Sequence, residues 1–402
     1  MLDRHAIPNF RRLLAFDAAA ETNSLSRAAQ MLRLSQPALT HSIAQLEAEL
    51  GERLFERSPE GAFLNEAGRV FHRRSTRFFE QIRRALAVAG GRGVGAATVD
   101  LRISKLATAQ VRGLLAIWRA GSFRAAARDL GIAAASLQRP ARDIEQIVGV
   151  PLYRRSALGL TVNETGAELA RRLALAVGEI RSGAEEIGAA SQARASLRVG
   201  VLALAPRVLL ARASGAVLTE GGLQRIEVVE GPYAQIASDL NDGALDLVFG
   251  ALRAPPPFAD LVEEPLFEDP YAIACRHGHP LTQSRVVKPS ALARFDWLHP
   301  TAGLPRRDVL DELTEAWGLA AKVQFETTCL TTITALLASS DRLSILSRWH
   351  IDLDGRLARV NLPPIPHARR DVGLTFRRNW LPTPFQAQFM EGLRKEAKAI
   401  AA

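Results

Sequence analysis

The sequence predicts a multidomain chain in which two copies of a mainly helical unit precede an α/β half. Three observations carry that prediction. An ungapped internal repeat lays residues 16–68 over 114–166 at an offset of 98, with fifteen of the 53 pairs identical. The excess positive charge follows the repeat: net +3 over residues 1–100, +6 over 101–195 and zero over 196–402. The second half opens with the buried-type strand Leu197-Arg198-Val199-Gly200-Val201.

Composition narrows the class. The chain has 402 residues, 48% apolar, 23% charged and 6% aromatic, which at about 100–200 residues per domain suggests two to four domains. No apolar run approaches the ~18–20 residues of a membrane span. The segment Met1–Phe16 carries Asp3, Arg4, His5, Arg11 and Arg12 without a signal-type apolar stretch. Two cysteines, Cys275 and Cys329, are too few for a disulfide framework or a structural zinc site. The expectation is a soluble cytoplasmic protein with no membrane partner, cofactor or metal. A basic half joined to a neutral half suggests a module for a polyanion attached to a module for something else.

Within the first copy, Ser24 precedes the Ala-rich run Arg27–Leu32, which suits a short capped helix, and Ala28 and Ala29 leave room for a second helix to cross closely. That second helix starts at Ser35-Gln36-Pro37, with Ser as N-cap and Pro in the first turn. Leu39, Ile43, Leu46 and Leu50 recur at spacings of three and four, and Gly51 ends the helix. Two short helices a few residues apart fit a helix-turn-helix. Leu54–Arg57 reads as a strand, Ser58–Gly61 as a turn and Phe63-Leu64 as the return strand, so the pair makes a wing.

Both copies continue into a long helix. Phe71, Ser75, Phe78, Ile82, Ala85 and Ala89, and then Leu169, Leu173, Ala176, Ile180, Gly183 and Ile187, form heptad-like seams. Such a seam pairs two helices or packs on its own domain. The stretch Gly90–Gly95 reads as a flexible linker and lacks the spacing of a phosphate loop. The expected domains are 8–90, a flexible linker at 91–101, a second copy at 102–190, and 196–402.

With these motifs in place, Ser24–Ala29, Ser35–Thr40 and Leu46–Arg57 resemble the winged helix-turn-helix of LysR-type transcriptional regulators. Gly121–Ala127 and Val148–Arg155 are similar, so the chain departs from the usual single head by having two. The tandem arrangement also resembles regulators grouped with the galactose-binding-protein regulator. Asp239–Gly250 and His277–Leu281 are similar to segments of the family's second domain. The resemblance implies a two-lobed α/β effector-binding domain like periplasmic binding proteins, with a ligand cleft between the lobes.

A recognition helix reads base edges through its N-terminal outward face. In the first copy this selects Gln36, Thr40, His41 and Gln45, with Pro37 and Ala38 for apolar contact and Ser35, Arg33, Arg53 and Arg57 for phosphates. In the second copy Ala133-Ala134-Ala135 replaces Ser35-Gln36-Pro37, and Pro140 falls inside the helix, at a cost of ~3 kcal/mol. That helix is expected to start later, with Ser136 as cap or Pro140 in its first turn. Ser136, Gln138, Arg139, Arg142, Arg154 and Arg155 remain as DNA contacts, and the copy either holds backbone or serves as a spacer or dimer element.

No catalytic constellation emerges, so the chain is not read as an enzyme. His277 and His279 lack a third metal ligand, Cys329 reads as a small buried thiol, and Asp246 as a group satisfying backbone at a strand start. Pro300–Arg307, before a helix from about Asp308, and Glu326–Thr331, before another through Leu337, supply helix starts and hydroxyls for a ligand or simply helix caps. The effector-site candidates are Leu204, Gly250, Thr301, Gly303, Arg306, Thr328, Cys329 and Thr331. Leu202–Ala205 lacks the Ser or Thr that many relatives present there. The expected partners are double-stranded DNA, an organic-acid or sugar-like effector, further copies of the chain through the long helices and effector domains, and RNA polymerase. The alternative is an architectural DNA-binding protein without a small-molecule ligand.

Overall fold

Several residues identical between the two copies cap and clamp the same joints in each. The computed structural model describes residues 7, 9–58, 61–91, 95–157, 159–187, 195–319, 323–365 and 367–401. One compact unit holds the residues up to Ser196 with the short pieces Glu220–Arg225 and Thr383–Phe385; a second holds the remainder. In the first unit, head 1 comprises α1 (Phe10–Thr22), α2 (Leu25–Leu32), α3 (Gln36–Leu50), β1 (Phe55–Ser58), β2 (Gly61–Leu64) and α4 (Glu66–Ala89). After α5 (Ala96–Lys105), head 2 repeats the order as α6 (Thr108–Ala120), α7 (Phe123–Leu130), α8 (Ala135–Val148), β3 (Tyr153–Ser156), β4 (Gly159–Val162) and α9 (Glu164–Glu186).

The shared devices match almost atom for atom. Ser24 and Ser122 cap α2 and α7, accepting from Arg27 N at 3.4 Å and Ala125 N at 3.2 Å. Glu47 and Glu145 each accept from a hairpin-entry amide, Leu54 N or Leu152 N, at 2.7 Å. Gly51 and Gly149 end the recognition helices in the left-handed region, at φ 76° and 80°. Asn65 and Asn163 accept from Gly68 N and Gly166 N while donating to the carbonyls of Arg53 and Pro151.

Two expectations for this unit need correction. The linker is shorter than 91–101, because residues from Ala96 onward already belong to α5, whose Val99 and Ile103 are buried; residues 92–94 lie outside the described residues. α8 does not start late: it begins at Ala135 with Pro140 in its interior and no side-chain cap. The proline packs against α6, where a Cβ on Gly113 would sit at ordinary contact distance, 3.6 Å, from Pro140 Cβ. Head 1 has Ala15 and Ser42 at those positions.

Every position of both seams is buried. As α4 advances from Arg73 to Arg77, its partners retreat from Glu186 to Glu179, so α4 and α9 lie antiparallel. The seam expected to recruit a second chain is thus covered within one chain. Arg74, only 1% exposed, pairs with Glu179 at 2.8 Å and with Glu186.

The second unit has two lobes. The first is a five-stranded sheet ordered β6 (Arg225–Glu230), β5 (Ser196–Val201), β7 (Leu247–Ala251), β14 (Asp371–Arg377) and β8 (Leu261–Glu268), with α10 (Arg207–Val217), α11 (Tyr233–Asn241) and α15 (Pro384–Ala401). β5 and β7 are parallel, whereas β14 runs antiparallel to both its neighbours. The second lobe has the antiparallel sheet β12 (Ser344–Ser347), β9 (Tyr271–Arg276), β13 (Leu357–Arg359) and the parallel pair β10 (Trp297–His299) and β11 (Val323–Glu326), with α12 (Pro305–Ala316), α13 (Leu330–Ala338) and α14 (Arg348–Leu353). The chain crosses between lobes from β8 to β9 and from β13 to β14. Asp246 plays the backbone role expected of it, accepting from Arg198 N at 2.9 Å. Among the described residues no helix is long and apolar enough to cross a membrane.

Candidate functional site

The outward face of α3 carries the residues expected to read DNA. Ser35 caps the helix, its hydroxyl oxygen accepting from Ala38 N at 3.3 Å. Gln36, Pro37, Ala38 and His41 are exposed, whereas Thr40 and Gln45 are half-buried. Two of these side chains are held in place: Ser26 of α2 donates to Gln36 Oε1 at 3.0 Å, and His41 Nε2 lies 2.8 Å from Gln45 Nε2. Arg33 sits exposed in the left-handed turn between the helices, at φ 55°, and Arg53 is exposed at the hairpin entry; the Arg57 side chain lies outside the described residues.

The same face of α8 is built differently. Ser136, Gln138, Arg139 and Arg142 are exposed, and Arg154 and Arg155 project from β3. Arg139 lies 3.9 Å from Asp143 one turn along and is 93% exposed, so the pair barely restrains it. No side chain on this face is fixed in the way that Ser26 fixes Gln36.

In the second unit, the parallel register His299↔Glu326 brings together the loops that follow β10 and β11. Thr327 N donates to the His299 carbonyl at 3.1 Å. Thr301, Gly303, Thr328, Cys329 and Thr331 therefore share the carboxyl end of this strand pair, the usual ligand edge of an α/β sheet. α12 starts at Pro305, three residues before the expected Asp308, because proline suits a first helical turn. Cys329 is exposed rather than buried, and a hydrogen bond to Thr332 lowers its thiol pKa. Gly250 is buried in β7, where a Cβ would come within 2.7 Å of Leu202 Cβ, so its size serves packing of the strand against that loop. Leu204 is half-buried against the second lobe's core.

Sequence reasoning missed the residues at the lobe crossings. Asp269 is fully buried, ion-paired with Arg370, and accepts from Trp349 N at 2.9 Å. Arg370 also donates to the Leu204 carbonyl at 3.2 Å and lies over the Tyr271 ring at 5.5 Å. The two crossings are about a hundred positions apart and share no motif, so no spacing links them; a lone Asp between β8 and β9 was the only sign. Arg306 of α12, which the sequence did single out, is 4% exposed, and burial lowers its pKa to about 10. Among the described residues no group of His, Cys, Asp and Glu could hold a metal ion.

Burial also lowers the pKa values of His279, His299 and His350. Each is then neutral in the fold, and below the unfolded value near 6.5 the unfolded chain binds protons that the native chain does not. Stability contributed by these groups is complete above about pH 6.5 and lost as pH falls through the folded values. Urea midpoints of the full chain are expected to fall from pH 7.5 to 5.5; a flat profile across that window rules out this titration.

The comparisons agree with this architecture. The description "Bacterial regulatory helix-turn-helix protein, lysR family" matches residues 10–69 and again 108–167, two windows separated by the same offset of 98. "LysR substrate binding domain" matches residues 190–398. The HTH-type transcriptional regulator GalR of Pseudomonas putida is 29% identical over 397 residues, 97% of both chains, so the match runs through both heads and the second unit. The regulator PcaQ of Agrobacterium fabrum is 25% identical over 68% of this chain and 89% of its own. A solved structure of full-length OxyR from Pseudomonas aeruginosa, carrying one substitution, shares the fold with a TM-score of 0.51 at 22% identity, over 72% of this chain and 94% of its own. Two helix-turn-helix heads and an effector-binding domain make the chain a member of the LysR-type transcriptional regulators, a family of DNA-binding regulators rather than enzymes.

Proposed function

We propose that the chain is a ligand-responsive regulator whose two heads, paired within one chain, engage one operator, with head 1 reading bases and head 2 holding the backbone. The observation that carries this reading is the antiparallel α4–α9 pair, which presents the two heads as one body. The division of labour is supported by the faces themselves: oriented Gln36 and His41 on α3, against exposed and unfixed arginines on α8. Arg–phosphate contacts act on all sequences alike, whereas base-edge contacts discriminate. The second unit binds a small metabolite, and ligand shifts the populations of its lobe arrangements and thereby the DNA complex.

Footprinting of the chain's own upstream region, followed by titration on the protected fragment, tests this. Q36A or H41A is expected to relax base preference by roughly ten- to a hundredfold at single positions. R139A/R142A is expected to weaken binding to every sequence and to flatten the salt slope by about one or two ions. An unchanged affinity for R139A/R142A leaves head 2 as a spacer. Sequence-blind coating with no response to metabolites favours the architectural alternative, which the absence of a hydroxyl in Leu202–Ala205 keeps in view.

A further inference from the structure

The second unit buries a positive charge that the protein itself does not neutralise. Arg306 is the second residue of α12 and is 4% exposed, yet its Nη1 is buried without a hydrogen-bond partner. Among the described residues no carboxylate pairs with it. The groups that act most on its charge, after burial, are the Tyr271 phenol and the Arg370 guanidinium, and the second of these repels it. The nearby carboxylate of Asp269 is already committed, to Arg370 on one oxygen and to Trp349 N on the other. His350, the other ionisable neighbour, is kept neutral by burial and lies 3.2 Å from the Thr334 hydroxyl. The ledger is two guanidiniums and one carboxylate, leaving one buried cation over. An isolated buried charge costs several kcal/mol unless it is paired.

The surroundings indicate what would pair with it. α12 is a twelve-residue helix that starts without a side-chain cap, so its first-turn amides and positive dipole end lie beside Arg306. Leu204 from the first lobe reaches the same cluster through its carbonyl's bond to Arg370. A neutral polyol would leave the charge uncompensated, whereas a carboxylate can accept two parallel bonds from a guanidinium.

We propose that Arg306 anchors the carboxylate of an anionic effector, so that the metabolite sensed is an organic acid and not a neutral sugar. This rests on the reading of the second unit as an effector-binding domain, and it deepens that reading by naming the ligand's chemistry. The anchored anion supplies the missing counter-charge, so ligand binding and stability of the unit are coupled.

The test is thermal denaturation of the full chain at constant ionic strength, with chloride replaced stepwise by formate, acetate, benzoate or succinate, and with glucose as the neutral probe. At least one carboxylate is expected to raise the Tm saturably, and glucose to leave it unchanged. In R306M, which keeps the length of the side chain and removes the charge, the carboxylate response is expected to weaken at least tenfold. The ligand-free Tm of R306M is expected to stay level or rise, because an unpaired buried charge has gone. Three results overturn the proposal: no carboxylate moves the wild-type Tm, the shift survives in R306M, or ligand-free R306M melts well below wild type as though an ion pair had been lost. Operator binding measured alongside separates the two readings. A carboxylate shift that is lost in R306M but leaves operator affinity untouched upholds the anchor and counts against the ligand-responsive regulator. An operator response to glucose alone does the reverse.

Discussion

Replacing Glu179 and Glu186 together by Gln is expected to destabilise the tandem-head unit by about 3–5 kcal/mol, because it leaves a buried arginine without its counter-charges. Arg74 is 1% exposed, and the two carboxylates that meet it are themselves 11% and 4% exposed. Removing one side of such a pair costs far more than the pair contributes over an apolar replacement. Adding R74M to E179Q/E186Q should therefore restore most of the loss, since the buried cation disappears as well. Urea denaturation of the four proteins makes a double-mutant cycle. If R74M rescues nothing, the carboxylates act through something other than Arg74, and if E179Q/E186Q is neutral the pair is not holding the helices.

The same contacts explain why α4 takes α9 and not another α4. By the offset of 98, the positions of Glu179 and Glu186 are Gln81 and Val88 in the first copy, and that of Gly183 is Ala85. An α4–α4 pair with this geometry would leave Arg74 facing an amide and a valine. It would also place a methyl where Arg74 Cβ and Phe71 Cδ2 approach to 3.0 and 3.1 Å. Charge and volume thus both favour pairing of the two unlike helices, a specificity that comes from penalising the alternative.

What could be read in advance divides along the range of the interactions. The caps Ser24 and Ser35, the glycine stop at Gly51 and the heptad seams were legible because each is a local device with a fixed spacing. That a seam pairs two helices was also legible, but its partner was not, because α9 begins about a hundred residues after α4 and either chain could supply it. Pro140 was expected near a helix start, yet α8 takes it into its interior. The first helices of the heads, α1 and α6, went unread, since their buried faces answer to tertiary packing. In the second unit the ligand-side loops were recognisable as helix starts, yet the Asp269–Arg370 cluster beneath them joins two crossings that only the fold brings together. Cys329 failed for a related reason: its neighbours Thr328 and Leu330 gave no hint that the residue would sit exposed at a helix start.

G68A and G166A are expected to act as separate switches for the two heads, each costing more than about 3 kcal/mol in its own copy. A Cβ at Gly68 would lie 2.0 Å from the Leu54 carbonyl oxygen, and one at Gly166 would lie 2.2 Å from that of Leu152. The obstacle is backbone in both cases, and it is the backbone that Asn65 and Asn163 clamp by accepting an amide on one side of the turn and donating to a carbonyl on the other. Neither side can retreat without breaking the hairpin-to-helix joint, so the long helix must tilt away from its wing. Hydrogen exchange should show lost protection in β1, β2 and α3 for G68A, and in β3, β4 and α8 for G166A. The consequences for DNA then differ by role. G68A removes the head that carries Gln36 and His41 and should abolish discrimination between operator and random DNA, leaving salt-sensitive residual binding. G166A should keep the base preference while weakening affinity for all sequences, because the arginines of head 2 lose their placement. If G166A alters base preference instead, then α8 reads sequence too, and its arginines contact base edges as well as phosphates.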